Sequence, residues 1–281
     1  MSVGKPEVSS YKGRRWPVWL KTLLALVLAG CLCFGGLLAA VLTGAYDQVK
    51  GDPQIMVILG CQVKPWGPSI LLQDRLDTAL AAFAYETNTE TVIYSYNPDT
   101  KLPTGTLAKI VTALVAIENS NLDDIVTCSD GIQSKVPGSS LKMKPNLKSG
   151  EQLTVNDLLH GLLMIGANDA AVALAEHLAG SEEAFVARMN QRAAQLGMAD
   201  THFLNCTGLP AAGHLTSAYD IALMSRQLIL DHPAVREFTT IWMDSFRDGT
   251  FGLTNPNRLV RFYNGATGLK TGSTSSAGCC I

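Results

Sequence analysis

The longest apolar stretch of the chain lies near its N-terminus. Residues 22–46 carry no charged side chain and are rich in Leu, Ala, Val and Gly. These 25 positions exceed the roughly 20 that a helix needs to cross a bilayer, so we predict one transmembrane helix at 22–46. The alternatives are a cleaved signal segment with small residues at 43–45 and a buried helix of a soluble domain.

The flank before this stretch is basic. Residues 1–21 contain five cations and a single acid, Glu7, and they place Trp16 and Trp19 close to the apolar boundary. Because positive flanks stay on the cytoplasmic side, residues 1–21 are predicted to be cytoplasmic and everything after Tyr46 to lie outside the cell membrane.

A short strand-and-helix pattern follows the apolar stretch. The apolar run 55–59 predicts a buried strand, residues 60–69 a loop, and an amphipathic helix is predicted from Leu71. A strand, a glycine-containing loop and a helix open a doubly wound α/β domain, but here the alternation stops. The segment 47–82 resembles the start of SanA/YdcF-type envelope proteins in its L-G-C-x-V loop and its R-L-D-x-A helix. We expect it to be an incomplete module of that kind.

From Phe83 onward the pattern is that of a β-hairpin followed by helices. Aromatic and β-branched residues at 83–86 and 91–96 flank a polar turn, which is typical of a hairpin. Capping residues and glycine stops delimit the helices that follow. Helices are predicted at 106–119, 155–165, 169–179, 182–196 and from 216 to before Pro233. Strands are predicted at 259–263, 268–271 and 277–281.

Composition narrows the possible functions. The 281 residues are 47% hydrophobic with a net charge of −2, and no basic stripe is present, so we expect no nucleic-acid partner. The seven cysteines form no C-x-x-C pair, and no H-E-x-x-H motif occurs. We therefore expect neither a metal site nor a cofactor.

Three short motifs carry the candidate chemistry. Thr106 and Lys109 lie three positions apart at the start of an apolar helix, so they share one face and could form a nucleophile and its base. Alternatively, Thr106 caps the helix and Lys109 extends to solvent. The tripeptide 166–168, Gly-Ala-Asn, lies in a turn between helices, and Lys-Thr-Gly occupies 270–272 on a late strand. Each tripeptide alone is also typical of an ordinary helix cap or strand edge.

Taken in order, the motifs resemble the S-x-x-K, S-x-N and K-T-G set of penicillin-binding proteins and β-lactamases. The stretches 168–177, 201–209 and 265–272 are similar to D-alanyl-D-alanine carboxypeptidases of the DacF type, which are low-molecular-weight penicillin-binding proteins. The resemblance runs from about residue 83 to 281. It implies an α+β fold, with an antiparallel sheet and a helical subdomain, that acts on peptidoglycan stem peptides ending in D-Ala-D-Ala and reacts with β-lactams.

The resemblance also implies roles for individual residues. Thr106 stands at the nucleophile, Lys109 at its base, and Asn168 positions both the peptide and the lysine. Lys270 and Thr271 would bind the terminal carboxylate beside Gly272, and the backbone amides of Thr106 and Ser273 would hold the oxyanion.

Two positions depart from the family pattern, and so does the end of the chain. Thr106 and Gly166 stand where the family has serine, and Ile281 ends the sequence nine residues after Gly272, whereas family members continue with further strands and a helix. The domain 83–281 is therefore predicted to be incomplete at its C-terminus. The alternatives to an active carboxypeptidase are a pseudoenzyme that binds stem peptides, a non-functional truncated fusion and a β-lactamase.

Overall fold

The computed structural model describes residues 55–60, 80–246, 251–263 and 265–280. The chain divides into two compact units, Met1–Pro53 and Gln54–Ile281, and all of the described residues belong to the second. The predicted span at 22–46 and the predicted helix from Leu71 lie outside the described residues. Within the described part, every helix is too short or too polar to cross a bilayer.

A three-stranded antiparallel sheet opens the second unit. Its strands are β1 (Ile55–Gly60), β2 (Ala81–Glu86) and β3 (Val92–Tyr96), in the order β1-β2-β3. The predicted hairpin is thus confirmed as β2 and β3. The predicted strand β1 is also present, but it pairs antiparallel with all six residues of β2. This pairing is antiparallel, whereas the sheet of a doubly wound domain is mostly parallel; the assignment of 47–82 to an incomplete module stays a prediction.

Among the described residues, five helices of six or more residues form most of the remaining core. Four of them begin or end at a local signal, such as the reciprocal capping box between Thr154 and Asp157 or the left-handed Gly180. They are α1 (Ala108–Asn119), α2 (Val155–His160), α3 (Asn168–Ala179), α4 (Glu182–Gln195) and α5 (Ala218–Asp231). A 3₁₀ turn, Gly105–Leu107, leads into α1, and a π-helical turn, Gly161–Ile165, extends α2. The predicted helices are confirmed to within a few residues.

Short paired strands connect these helices. The antiparallel pairs are β4 (Leu102–Pro103) with β7 (Leu215–Thr216), β5 (Ile125–Thr127) with β6 (Gln152–Thr154), β8 (Met243–Phe246) with β9 (Phe251–Thr254), and β10 (Gly272–Thr274) with β11 (Gly278–Cys280). Two short helices, α6 (Arg236–Thr239) and α7 (Arg258–Phe262), and 3₁₀ turns at Ile132–Ser134 and Pro233–Val235 complete the described elements.

Two strand predictions near the C-terminus need correction. The segment 259–263 is the helix α7 rather than a strand, because the Asn257 side chain accepts a hydrogen bond from the Leu259 amide and starts a helical turn. The strand predicted at 268–271 begins only at Gly272, so Lys270 precedes it. The strand predicted at 277–281 corresponds to β11.

The helix α1 lies in the centre of the core. Nine of its residues, from Ala108 to Ala116, are buried, and Lys109 is the only charged side chain among them. A wholly buried lysine is rare unless it is paired. This residue therefore directs attention to the N-terminal end of α1.

Candidate active site

Thr106 lies in the 3₁₀ turn that leads into α1. Its side chain is only 8% exposed, and Oγ1 has no hydrogen-bond partner among the described residues. Gly105, directly before it, has a φ of 50°, and a Cβ there would come within 2.9 Å of the Ala277 side chain. The chain can therefore turn into α1 at this point only with glycine at 105.

At two further glycines, the main chain of other segments lies close to Thr106 or to the residue before it. A Cβ on Gly272 would lie 1.2 Å from Thr106 Oγ1, and a Cβ on Gly208 would lie 1.9 Å from the Gly105 carbonyl oxygen. Gly208 also has a φ of 76°. The Thr106 hydroxyl is thus bounded by backbone from the 105 turn, the 208 loop and the first residue of β10. The glycine of the Lys-Thr-Gly motif is required by this close approach.

Lys109 follows Thr106 by three positions, lies in the first turn of α1 and is completely buried. Burial, with a smaller contribution from the positive charge of Lys270, lowers the pKa of Lys109 to about 7, and the nearby Cys206 opposes this slightly. Its Nζ donates a hydrogen bond to the Thr207 carbonyl oxygen. The hydrogen bond between Lys109 and Thr106 that the spacing of three allows is not among those that the described residues make.

The loop that accepts the lysine is organised by Asn205. The Asn205 Oδ1 accepts hydrogen bonds from the Thr207 amide at 3.2 Å, the Thr207 hydroxyl at 2.9 Å and the Gly208 amide at 2.7 Å. This is an Asx-type turn, for which an asparagine shortly before a glycine is a recognisable signal. The sequence analysis named the stretch 201–209 for its resemblance but did not predict that the Thr207 carbonyl oxygen accepts the Lys109 hydrogen bond.

Lys270 and Gly166 bring the other two motifs together. Lys270 is 4% exposed, its Nζ donates to the Thr271 carbonyl oxygen, and burial lowers its pKa to about 8. A Cβ on Gly166 would lie 3.4 Å from Lys270 Nζ, and Gly166 has a φ of 75°. Gly166 of the Gly-Ala-Asn motif therefore lies next to Lys270. Gly272 of the Lys-Thr-Gly motif lies next to Thr106.

Asn168 and Asp169 stand side by side at the start of α3. Asn168 is buried, its amide donates to the Leu141 carbonyl oxygen at 2.8 Å, and its Oδ1 has no partner among the described residues. Asp169 is fully buried, and its Oδ1 accepts from the Met143 amide at 2.9 Å. Burial raises the pKa of Asp169 despite these hydrogen bonds. Sequence reasoning missed Asp169, although an acid in the first turn of a helix is a usual signal.

The remaining predicted residues form an accessible edge. Thr271 and Gly272 are half-buried, and Ser273 is exposed opposite Cys279 in the β10–β11 pair. A cavity of about 340 Å³ adjoins Gly105 and is lined by the 208–212 loop, His214 and Ser276. Among the described residues, no cluster of His, Cys, Asp and Glu has the arrangement of a metal site.

A hydroxyl near a helix start, a buried lysine of lowered pKa and a second buried lysine are groups that hydrolases of the acyl-transfer class use. The chain belongs to the peptidase S11 family of D-alanyl-D-alanine carboxypeptidases, whose pattern it matches over residues 73–281. This match begins inside the predicted segment 47–82, and the boundary after residue 82 stays a prediction.

Relatives and solved structures agree with this family. The chain is 38% identical to D-alanyl-D-alanine carboxypeptidase DacF of Bacillus subtilis over 72% of its own length and 53% of the relative's, and 39% identical to DacD of Escherichia coli over 61% and 46%. It thus spans about half the length of these relatives. Penicillin-binding protein 5 of Haemophilus influenzae superposes with a TM-score of 0.66 at 26% identity, covering 82% of this chain and 61% of that one. The ampicillin-bound penicillin-binding protein D2 of Listeria monocytogenes gives 0.62 at 30% identity, covering 72% and 82%.

Proposed function

We propose that this protein is a membrane-anchored D-Ala-D-Ala carboxypeptidase that trims peptidoglycan stem peptides outside the bacterial cell membrane. The observation that carries the proposal is Lys109, a fully buried amine with a pKa of about 7 that lies three residues after the unpaired hydroxyl of Thr106. A base with a pKa near the working pH combines a useful neutral fraction with a useful affinity for the proton.

The proposed reaction has two steps. Neutral Lys109 takes the proton of Thr106 Oγ1 as that oxygen attacks the carbonyl carbon between the two D-alanines. The carbon–nitrogen bond breaks, the terminal D-alanine leaves with a proton on its amine, and an ester remains on Thr106. Water then attacks the ester, which releases the shortened peptide and restores the hydroxyl.

Substrate binding would use the groups around Thr106. Lys270 is buried next to the second motif, and with the Thr271 hydroxyl it would hold the terminal carboxylate. Asn168 Oδ1 has no partner among the described residues, and buried polar groups generally have one. We therefore expect it to accept a hydrogen bond from a peptide amide. The amides of Thr106 and Ser273 would stabilise the oxyanion.

The anchor would keep this chemistry in the cell envelope. The uncharged segment 22–46 and its basic flank support a single span with the peptidase domain on the extracytoplasmic side. β-Lactams are the corresponding covalent probes, since the similar protein D2 is known in ampicillin-bound and cefotaxime-bound forms.

A second candidate is a pseudoenzyme that binds stem peptides without turnover. Two observations favour it. Lys109 donates to Thr207 rather than to Thr106, and Gly166 supplies no hydroxyl beside Lys270. In addition, the threonine methyl stiffens the side chain and must fit against Gly272.

The test uses the full chain in detergent with a fluorescent penicillin and a D-Ala-D-Ala peptide. An adduct mapped to Thr106 by mass spectrometry, lost in Thr106→Ala and increased in Thr106→Ser, together with D-alanine release, is the expected result. Peptide affinity that survives Thr106→Ala, with no adduct and no D-alanine, would identify the pseudoenzyme instead. Alkaline extraction of membranes tests the anchor separately, because an integral protein resists it.

A further inference from the structure

The short helix α7 presents its apolar side to solvent. None of its residues is buried, and Leu259, Phe262 and Tyr263 are 48%, 72% and 68% exposed. Leu259 and Phe262 lie three positions apart and share one face of α7, and Tyr263 follows the helix in extended backbone; we call these three neighbouring apolar side chains a strip. An amphipathic helix in a soluble domain ordinarily turns such a strip inward. An outward strip is typical of an interaction surface.

Two arginines border this strip. Arg258 and Arg261 are exposed, and neither forms an ion pair with another of the described residues. The Arg261 guanidinium lies 5.2 Å from the ring centres of both Trp242 and Phe262. Contacts of this kind hold the cation beside the aromatic strip. We call Arg258, Leu259, Arg261, Phe262 and Tyr263 the α7 patch.

The charged residues of the sequence segment that contains the patch have one sign. Residues 251–281 contain three cations, Arg258, Arg261 and Lys270, and no acid. Lys270 is buried in the candidate site, so the two arginines are the exposed charges of this segment. A partner that fits the patch must therefore offer an apolar layer beneath an anionic surface.

We infer that the α7 patch docks on the outer face of a bilayer that contains anionic phospholipid. Aromatic side chains and arginines are the residues that favour the headgroup region, where rings enter the acyl boundary and guanidinium groups meet phosphate. In the sequence, residues 47–54 separate the proposed span from β1. The inference deepens the proposed membrane location, but it concerns a different segment from the anchor.

The test follows hydrogen exchange of peptides that cover 257–263, with the full chain in nanodiscs. Slower exchange is expected in phosphatidylglycerol discs than in phosphatidylcholine discs or in detergent. Each arginine near an anionic leaflet favours the docked form about fivefold, so Arg258→Glu with Arg261→Glu should weaken docking at least about 25-fold and abolish the protection. Phe262→Ser should reduce it.

The matched control reverses two exposed cations elsewhere, Lys144→Glu and Arg188→Glu, and should leave the protection intact. Equal exchange in all three media, or protection that survives the α7 charge reversal, would overturn the inference. Protection produced by glycan strands without lipid would overturn the inference and identify the glycan as the partner of the α7 patch. Protection produced by raising the protein concentration alone would overturn it in favour of a second copy of the chain. Resistance to alkaline extraction reports on the anchor independently, so either conclusion can fail without the other.

Discussion

Replacing Lys109 by methionine should make the protein more stable at neutral pH. Lys109 is fully buried, and its pKa falls from 10.5 to about 7. Because one pH unit corresponds to about 1.4 kcal/mol, burying this amine costs about 4 kcal/mol of folding free energy at pH 7. Methionine fills a similar volume without that cost, but it leaves the Thr207 carbonyl without its donor, a loss of about 1–3 kcal/mol. Lys109→Met should therefore gain about 1–3 kcal/mol.

The pH dependence of this difference follows from the same lowered pKa. Between pH 7 and about pH 10 the unfolded chain binds the Lys109 proton and the folded chain does not. Wild-type stability should therefore rise by about 1.4 kcal/mol per pH unit relative to Lys109→Met over this range. The destabilisation by Lys109 is largest below pH 7, where it no longer changes with pH. Above pH 10.5 it is absent, because the amine is then neutral in both the folded and the unfolded chain. The stabilising effect of the substitution should thus shrink as the pH increases.

Denaturant unfolding of the full chain in detergent, at pH 7 and pH 9.5, measures both effects. Lys148→Met, at an exposed lysine, is the control and should change neither stability nor its pH slope. The reasoning is refuted if Lys109→Met is less stable than wild type at pH 7 and the difference does not vary with pH. That result would mean that Lys109 is charged and well paired in the folded protein.

Three further predictions concern the site. Gly272→Ala should abolish penicillin acylation, because the new methyl would overlap Thr106 Oγ1. The control Gly138→Ala, where a Cβ meets nothing within 4 Å, should acylate normally. Normal acylation by both variants would contradict the packing. The acylation rate should fall about tenfold per pH unit below pH 7 as Lys109 becomes protonated, and a flat profile from pH 5 to 8 would exclude it as the base. Asp169→Ala should destabilise the fold by about 1–3 kcal/mol in thermal unfolding, because two buried amides lose their acceptor.

Local signals explain why most helices could be predicted from the sequence. The Thr154 capping box and the glycine at 180 depend on residues within one turn of the helix end. The segment 259–263 was predicted wrongly because its apolar residues fit either period, and the Asn257 cap decided the outcome.

The site was predictable in its residue types but not in its contacts. The resemblance of the three motifs to the family set grouped Thr106, Lys109 and Lys270, and the fold places Gly272 beside Thr106 and the charge of Lys270 near Lys109. Lys109 donates to the Thr207 carbonyl oxygen, which is 98 positions away in the sequence. Neither local sequence indicates that these two residues pair. The same holds for the antiparallel pairing of β1 with β2, which depends on the whole sheet.

The backbone walls around Thr106 also constrain how this site can evolve. A side chain that crowds a neighbour can usually be accommodated when the neighbour is trimmed, but Gly105, Gly208 and Gly272 have nothing left to trim. A side chain larger than threonine at 106 could therefore be accommodated only by moving main chain. Room for a larger side chain at 106 would require the three surrounding segments to shift together.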